Sequence, residues 1–187
     1  MRTSQTSVEV TYPGLSWIKS AEARKVRKIF LFNEIDENSS REVIESLLEL
    51  DTDKKKRPIN LFLSSPGGLC SYGFAIVDTI EKLSCPIKAI ALGEVCSMAP
   101  LIFIACDERI ISKHTTLMLH PISMGVEDYL SFAQSRVKNA ELIEEMYDKY
   151  FLERTNIPRR VYRKMKNKEA WLTASECIKY GIAHKIL

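Results

Sequence analysis

Three apolar runs of strand length, residues 29–32, 59–63 and 87–92, are separated by segments 40–50 and 71–83, whose apolar residues recur every three or four positions. Each run is rich in β-forming residues and bounded by turn-forming or charged ones. Strands that alternate with amphipathic helices pair in parallel, because a helical crossover carries the chain back to the same end of the sheet. An α/β fold is therefore expected, beginning near Arg27. Residues 1–26 are polar, carry Pro13 and Gly14, and read as an N-terminal tail or mobile loop. With 187 residues, 45% of them apolar, the remaining stretch 27–187 suffices for one domain. A chain of this size buries about 70% of its unfolded surface.

Further along, residues 97–106 are nearly all apolar and suit a helix buried on most sides, followed by short strand candidates at 109–112 and 116–119. Segment 126–154 carries Tyr129, Leu130, Ala133, Val137, Ala140, Ile143, Met146, Tyr147 and Tyr150 at helical spacing. That makes one helix of roughly eight turns, long enough to need a surface to pack against, such as a partner subunit. Pro158 suits the first turn of a short helix ending near Lys168. Thr173 and Glu176 form a capping box for the last helix, and Gly181 stands where its C-terminal cap belongs. The basic run 54–57 reads as a solvated loop.

The formal charge of +3 falls short of the concentrated basic balance of a nucleic-acid binder. Cys70, Cys85, Cys96, Cys106 and Cys177 are odd in number, lack a C-x-x-C pair and sit among apolar neighbours, so reduced thiols are expected, with no metal or cofactor. The N-terminus has no apolar signal core, and no uninterrupted apolar run reaches the roughly 18 residues of a membrane span. A cytoplasmic protein without membrane contact is the expectation.

Two places could carry chemistry. Ser64-Ser65-Pro66-Gly67-Gly68 directly follows the second strand run, where paired glycines permit a sharp turn and let backbone N–H groups approach a ligand. Ser97 follows Gly93 at the start of the apolar helix, where free N–H groups favour developing negative charge; the plainer reading is a helix cap. A serine nucleophile needs a base, and the histidines are His114, His120 and His184. His120 closes a strand run and precedes Pro121, whereas His114 reads as loop and His184 as surface or interface. Cys96 is the rival nucleophile.

Taken in order, the strand 59–63, S-P-G-G at 65–68, Gly73 and Asp78, G-x-x-x-S-M-A at 93–99 and M-L-H at 118–120 resemble the proteolytic subunit of the Clp protease. Residues 27–35 resemble that family's first strand and 171–186 its closing helix and strand. The resemblance implies a spiral of βαβ units shared with the crotonase superfamily, with 126–154 as the handle helix that interlocks two heptameric rings. It makes Ser97 the nucleophile, His120 the general base, and the N–H groups of Gly68 and Met98 the oxyanion hole. The implied activity is hydrolysis of polypeptides by an ATP-dependent serine endopeptidase, a homo-oligomeric chamber that an AAA+ unfoldase would feed.

The resemblance departs from the family in four places. The position of the usual triad aspartate is Met165, and no aspartate follows Asp148. Glu169 is the expected substitute, in an E-x-W-L-T-A stretch similar to the D-x-W-L-T of phage-type members, with Asn167 as the other polar candidate. Pro121 replaces the usual glutamine, and the stretch from Ser97 to His120 is two residues shorter than in the common bacterial form. The N-terminal segment lacks the family's G-E-R-S pattern. Two alternatives follow: a catalytically weak or inactive structural subunit of a Clp-type assembly, and a crotonase-like acyl-CoA enzyme.

Overall fold

The computed structural model describes residues 27–125 and 129–187. The expected N-terminal tail 1–26 and the first residues of the expected long helix, 126–128, lie outside them.

The sheet is built as the apolar runs predict. Strands β1 (Lys28–Leu31), β2 (Ile59–Ser65), β3 (Ile87–Cys96) and β4 (Glu108–Ile111) lie side by side in parallel, and β7 (Lys185–Ile186) joins the edge beyond β4. Helices α1 (Glu37–Asp51) and α2 (Cys70–Lys82) are the crossovers. The α1 start is fixed by Asp36, whose carboxylate accepts from the Ser39 N–H while the Ser39 hydroxyl accepts from the Asp36 N–H. Both caps satisfy donors that a helix otherwise leaves open. Val43 and Leu47, one turn apart, bury the inner face of α1. Along β2, Ile59, Leu61 and Leu63 are fully buried at alternate positions.

Strand β3 runs on beyond Gly93, where the sequence suggests a strand end, and changes partner as it goes. Lys88–Ala91 pair with β4, whereas Glu94, Val95 and Cys96 pair with Thr116, Leu117 and Met118 of β5 (Thr116–Leu119). Local propensity carries no sign of this, because the second half of β3 is a strand only by virtue of β5. Strand β6 (Ala170–Leu172) then pairs antiparallel with β5.

Helix α3 starts at Ala99, two residues later than its apolar composition suggests, and runs to Ala105 with every residue buried. Ala99, Leu101, Ile102, Phe103, Ile104 and Ala105 all belong to the hydrophobic core. Helix α4 (Leu130–Arg154) begins after Tyr129, whose backbone is extended, so the helix is shorter at its start than the apolar spacing indicates. Its C-terminal half docks through Tyr147 and Phe151, while Tyr129, Leu130, Phe132, Val137, Leu142 and Met146 stay exposed. Helix α5 (Arg159–Lys166) follows, capped by Pro158 just before its first turn. Its Lys166 ammonium is buried against the carboxylates of Asp148 and Glu144 on α4. The Thr173–Glu176 capping box opens α6 (Ala174–Lys179) as predicted, with Gly181 one residue past the cap. The five cysteines are free, four of them buried and Cys70 half-buried. Among the described residues no helix is long and apolar enough to cross a membrane, and no cluster of metal-ligating side chains occurs.

Candidate active site

The divided pairing of β3 determines what meets at its end. Cys96 faces Met118 in register, and the Ser97 N–H donates to the Met118 carbonyl at 3.0 Å. The residues that leave β3 and β5 therefore emerge together. His120 Nε2 lies 2.8 Å from Ser97 Oγ. Both side chains are half-buried. His114 is exposed in the loop before β5, and His184, also exposed, meets Arg109 at the sheet edge, so neither approaches Ser97.

Ser97 is not the helix cap that local reading favours. The capping position of α3 is Met98, no side chain caps that end, and Ser97 itself has φ 59. A left-handed backbone at a residue with a Cβ is uncommon and costs about 1–3 kcal/mol, so the surroundings must hold it there. The geometry turns Ser97 out of the strand and aims its hydroxyl at His120.

The Ser65–Gly68 turn lies against this corner. Ser65 is fully buried; its hydroxyl donates to the Asn33 carbonyl at 2.6 Å and accepts the Gly67 N–H at 3.1 Å. Ile35 clasps the turn from outside, donating its N–H to the Gly67 carbonyl and accepting the Leu69 N–H. Gly67 has φ +100 and Gly68 φ +147, conformations in which L side chains are strained. A Cβ built on Gly67 would strike the Ser97 Cβ and lie 3.0 Å from the Met98 nitrogen. The turn and the Ser97–Met98 peptide are thus in direct contact. The Gly68 and Met98 N–H groups find no backbone or side-chain acceptor among the described residues.

Continued by one step, the β5–β6 register sets Glu169 across from His120, and no hydrogen bond joins the two side chains. Glu169 is exposed, one residue beyond the Leu119–Ala170 pair, and its carboxylate accepts the Trp171 indole N–H at 3.0 Å. Asn167 is exposed and Met165 is half-buried against the core. No carboxylate among the described residues hydrogen bonds to Nδ1 of His120. Alternation along β6 tells which face a residue takes, but a long exposed side chain at the strand's start can turn toward a neighbouring donor, here Trp171.

Cys96 points into the core and is 2% exposed. Burial, reinforced by the charge of Glu94, pushes its thiol up to about 11. At pH 8 only about one such thiol in a thousand is ionised, three units below its midpoint. Peptide mapping after iodoacetamide treatment at pH 8 should find Cys96 unmodified, with alkylation rising about tenfold per pH unit above that. Rapid alkylation at pH 8 would return the thiol to contention.

The missed residue is Tyr147. Sequence spacing places it on the apolar face of the long helix and nothing more; the structure shows its hydroxyl donating to the Ser97 carbonyl at 2.8 Å. A signal did exist, since a buried tyrosine generally finds a partner for its hydroxyl.

The comparisons with known proteins agree on one lineage. The model of the Clp protease family matches residues 16–187. The chain belongs to the Clp protease family. The match starts upstream of Arg27, where the apolar pattern begins. Among similar proteins, the ATP-dependent Clp protease proteolytic subunit 2 of Treponema denticola is 28% identical over 86% of this chain and 81% of its own. The ATP-dependent Clp protease proteolytic subunit 1 of Chlamydia pneumoniae is 28% identical over 89% of both chains. A mutant of the subunit ClpP1 from Listeria monocytogenes superposes with a TM-score of 0.81 at 23% identity, covering 89% of this chain and 94% of that one. The spiral α/β fold of the Clp family is thereby shown.

Proposed function

We propose that this Clp family chain is a serine endopeptidase subunit in which Ser97 is the nucleophile, His120 the general base, and the Gly68 and Met98 N–H groups the oxyanion donors. The observation that carries the reading is the 2.8 Å approach of His120 Nε2 to Ser97 Oγ at a residue held in a left-handed conformation. With its proton on Nδ1, His120 accepts the Ser97 hydroxyl proton through Nε2 as Oγ attacks a peptide carbonyl. The carbonyl oxygen becomes an anion beside the Gly68 and Met98 N–H groups. His120 then delivers the proton to the leaving amine, and water attacks the acyl-enzyme with His120 again as base, freeing Ser97. Polypeptides are the substrate class. Stacked heptameric rings joined through α4 would give its exposed apolar face a partner, and the words "ATP-dependent" in the names of its relatives support an AAA+ unfoldase feeding the chamber.

One observation favours a second reading, a subunit of low turnover: among the described residues no carboxylate hydrogen bonds to Nδ1 of His120, and loss of that partner costs about 10⁴ in rate in a complete triad. An acyl-CoA reading gains no such support, because it leaves the Ser97–His120 pair idle.

A fluorophosphonate probe applied to the assembled protein should attach to Ser97 and to no other serine, as read by tryptic mapping, and Ser97→Ala should abolish labelling. Absence of label on correctly folded, assembled protein would count against both readings of Ser97 as a reactive group. Label with undetectable peptide hydrolysis would select the low-turnover reading.

A further inference from the structure

The structure brings Tyr147 to the back of the nucleophile from a helix that no local motif connects to it. Its hydroxyl donates to the Ser97 carbonyl at 2.8 Å, and its ring is 7% exposed. The ring has little freedom to swing. It stacks on Phe151 with centroids 6.1 Å apart and planes 7° from parallel, and Phe151 in turn stacks on Tyr162 at 5.2 Å. The Lys166 ammonium lies 5.4 Å from the Tyr147 ring centre, bonded to Asp148 and Glu144. The position of the hydroxyl is therefore set by the packing of α4 against α5.

The bond matters because of what else the acceptor carbonyl belongs to. The Ser97 C=O and the Met98 N–H are the two ends of one peptide unit. That unit is trans, so the two groups point in opposite directions in a shared plane. A donor that captures the carbonyl from the helix side turns the N–H away from the helix. The Met98 nitrogen lies beside the Gly67–Gly68 turn, 3.0 Å from where a Cβ on Gly67 would stand. The Ser97 φ of 59 marks this peptide as one that would relax if released.

We infer that Tyr147 is a positioning residue for the oxyanion hole, its hydroxyl anchoring the Ser97 carbonyl so that the Met98 N–H of the same peptide is presented to the substrate's developing anion. The inference rests on the peptidase reading for its catalytic consequence, but the peptide orientation it describes can be observed without any turnover. Burial pushes the Tyr147 phenol far above its usual range, so the hydroxyl stays protonated and able to donate throughout the working range of the protein.

The test compares Tyr147→Phe with Tyr162→Phe in the full, assembled protein. The second change also removes a buried hydroxyl from the same aromatic stack, one bonded to Asp148 and not to Ser97. With a fluorogenic peptide, Tyr147→Phe should lower kcat about 10- to 100-fold with KM within about twofold, part of the 10²–10³ that a whole oxyanion donor supplies elsewhere. Affinity for a peptide boronate, whose adduct places an oxygen in the anion site, should fall in parallel. Tyr162→Phe should change both readouts less than about threefold. Introducing p-aminophenylalanine at Tyr147, which keeps a ring and a donor, should restore most of the loss and covers the case in which phenylalanine fails to assemble. A crystal structure of Tyr147→Phe should show the Ser97–Met98 peptide rotated. A peptide that keeps its orientation overturns the inference whatever the rate does. Equal kcat and boronate effects in the two variants overturn it as well. If the unmodified protein shows no Ser97-dependent hydrolysis or boronate binding, the peptidase reading fails, and the peptide orientation still decides the positioning claim.

Discussion

Replacing His120 by alanine should lower peptide hydrolysis about a hundred- to ten-thousandfold, the span that a positioned general base contributes. In a complete triad the loss of histidine costs about 10⁶. The smaller figure is expected here because Nδ1 of His120 lacks a carboxylate partner among the described residues, so the imidazolium formed as Ser97 attacks is already less stabilised. The two values separate the readings. A drop near 10⁶ means that some acid does reach Nδ1 in the assembled protein; a drop below tenfold means that His120 is not the base. Stability should shift by no more than about 1 kcal/mol, since the side chain is half-buried and creates no large cavity. Urea unfolding of the variant checks that the lost rate is chemical.

Gly67→Ala should damage fold and site together. The new Cβ would strike the Ser97 Cβ, lie 2.7 Å from the Cys96 carbonyl oxygen and 3.0 Å from the Met98 nitrogen, all of them backbone atoms or the first side-chain carbon of Ser97. None of these can yield as the tip of a flexible side chain could. The backbone at φ +100 adds strain of about 1–3 kcal/mol, and overpacking a buried site costs a further 1–3 or so. Against a total stability of about 5–15 kcal/mol this is a large fraction. We expect a clear fall in the urea midpoint and, in protein that remains folded, a rate loss on the order of 10²–10³ from displacement of the Met98 and Gly68 donors. An unchanged midpoint with full activity would mean that the turn and the nucleophile corner are not in contact.

The strands β1, β2 and β4, the crossover helices and the last capping box were legible because each depends on signals within a dozen residues: alternation, helical spacing, a threonine three residues before a glutamate. The continuation of β3 past Gly93 was not, because Glu94, Val95 and Cys96 become strand only through β5, some twenty residues later. The same distance explains why Ser97 read as a cap: its left-handed backbone is imposed by a neighbouring strand and a neighbouring turn. Ser97, Gly68 and His120 could be singled out by their order, yet order does not show which acid, if any, faces the imidazole. Glu169 stands across the β5–β6 ladder from His120 while its carboxylate accepts the Trp171 indole N–H. Tyr147 lay in plain sight as one apolar residue among nine, and only the docking of α4 under the corner reveals what its hydroxyl holds.

The Cys96–Met118 register has a consequence for how such a chain can drift through evolution. Ser97 and His120 are the first and second residues past a rung of one two-stranded ladder, so their separation is fixed by backbone pairing and not by the length of chain between them. Residues can be lost from or added to the excursion through α3 and β4 without moving either group, provided the ladder closes on the same rung. A stretch from Ser97 to His120 shortened or lengthened by a residue or two is the kind of change such an arrangement tolerates. A single-residue slip of β5 along β3, by contrast, would carry His120 to the opposite face of the sheet and end the partnership at once.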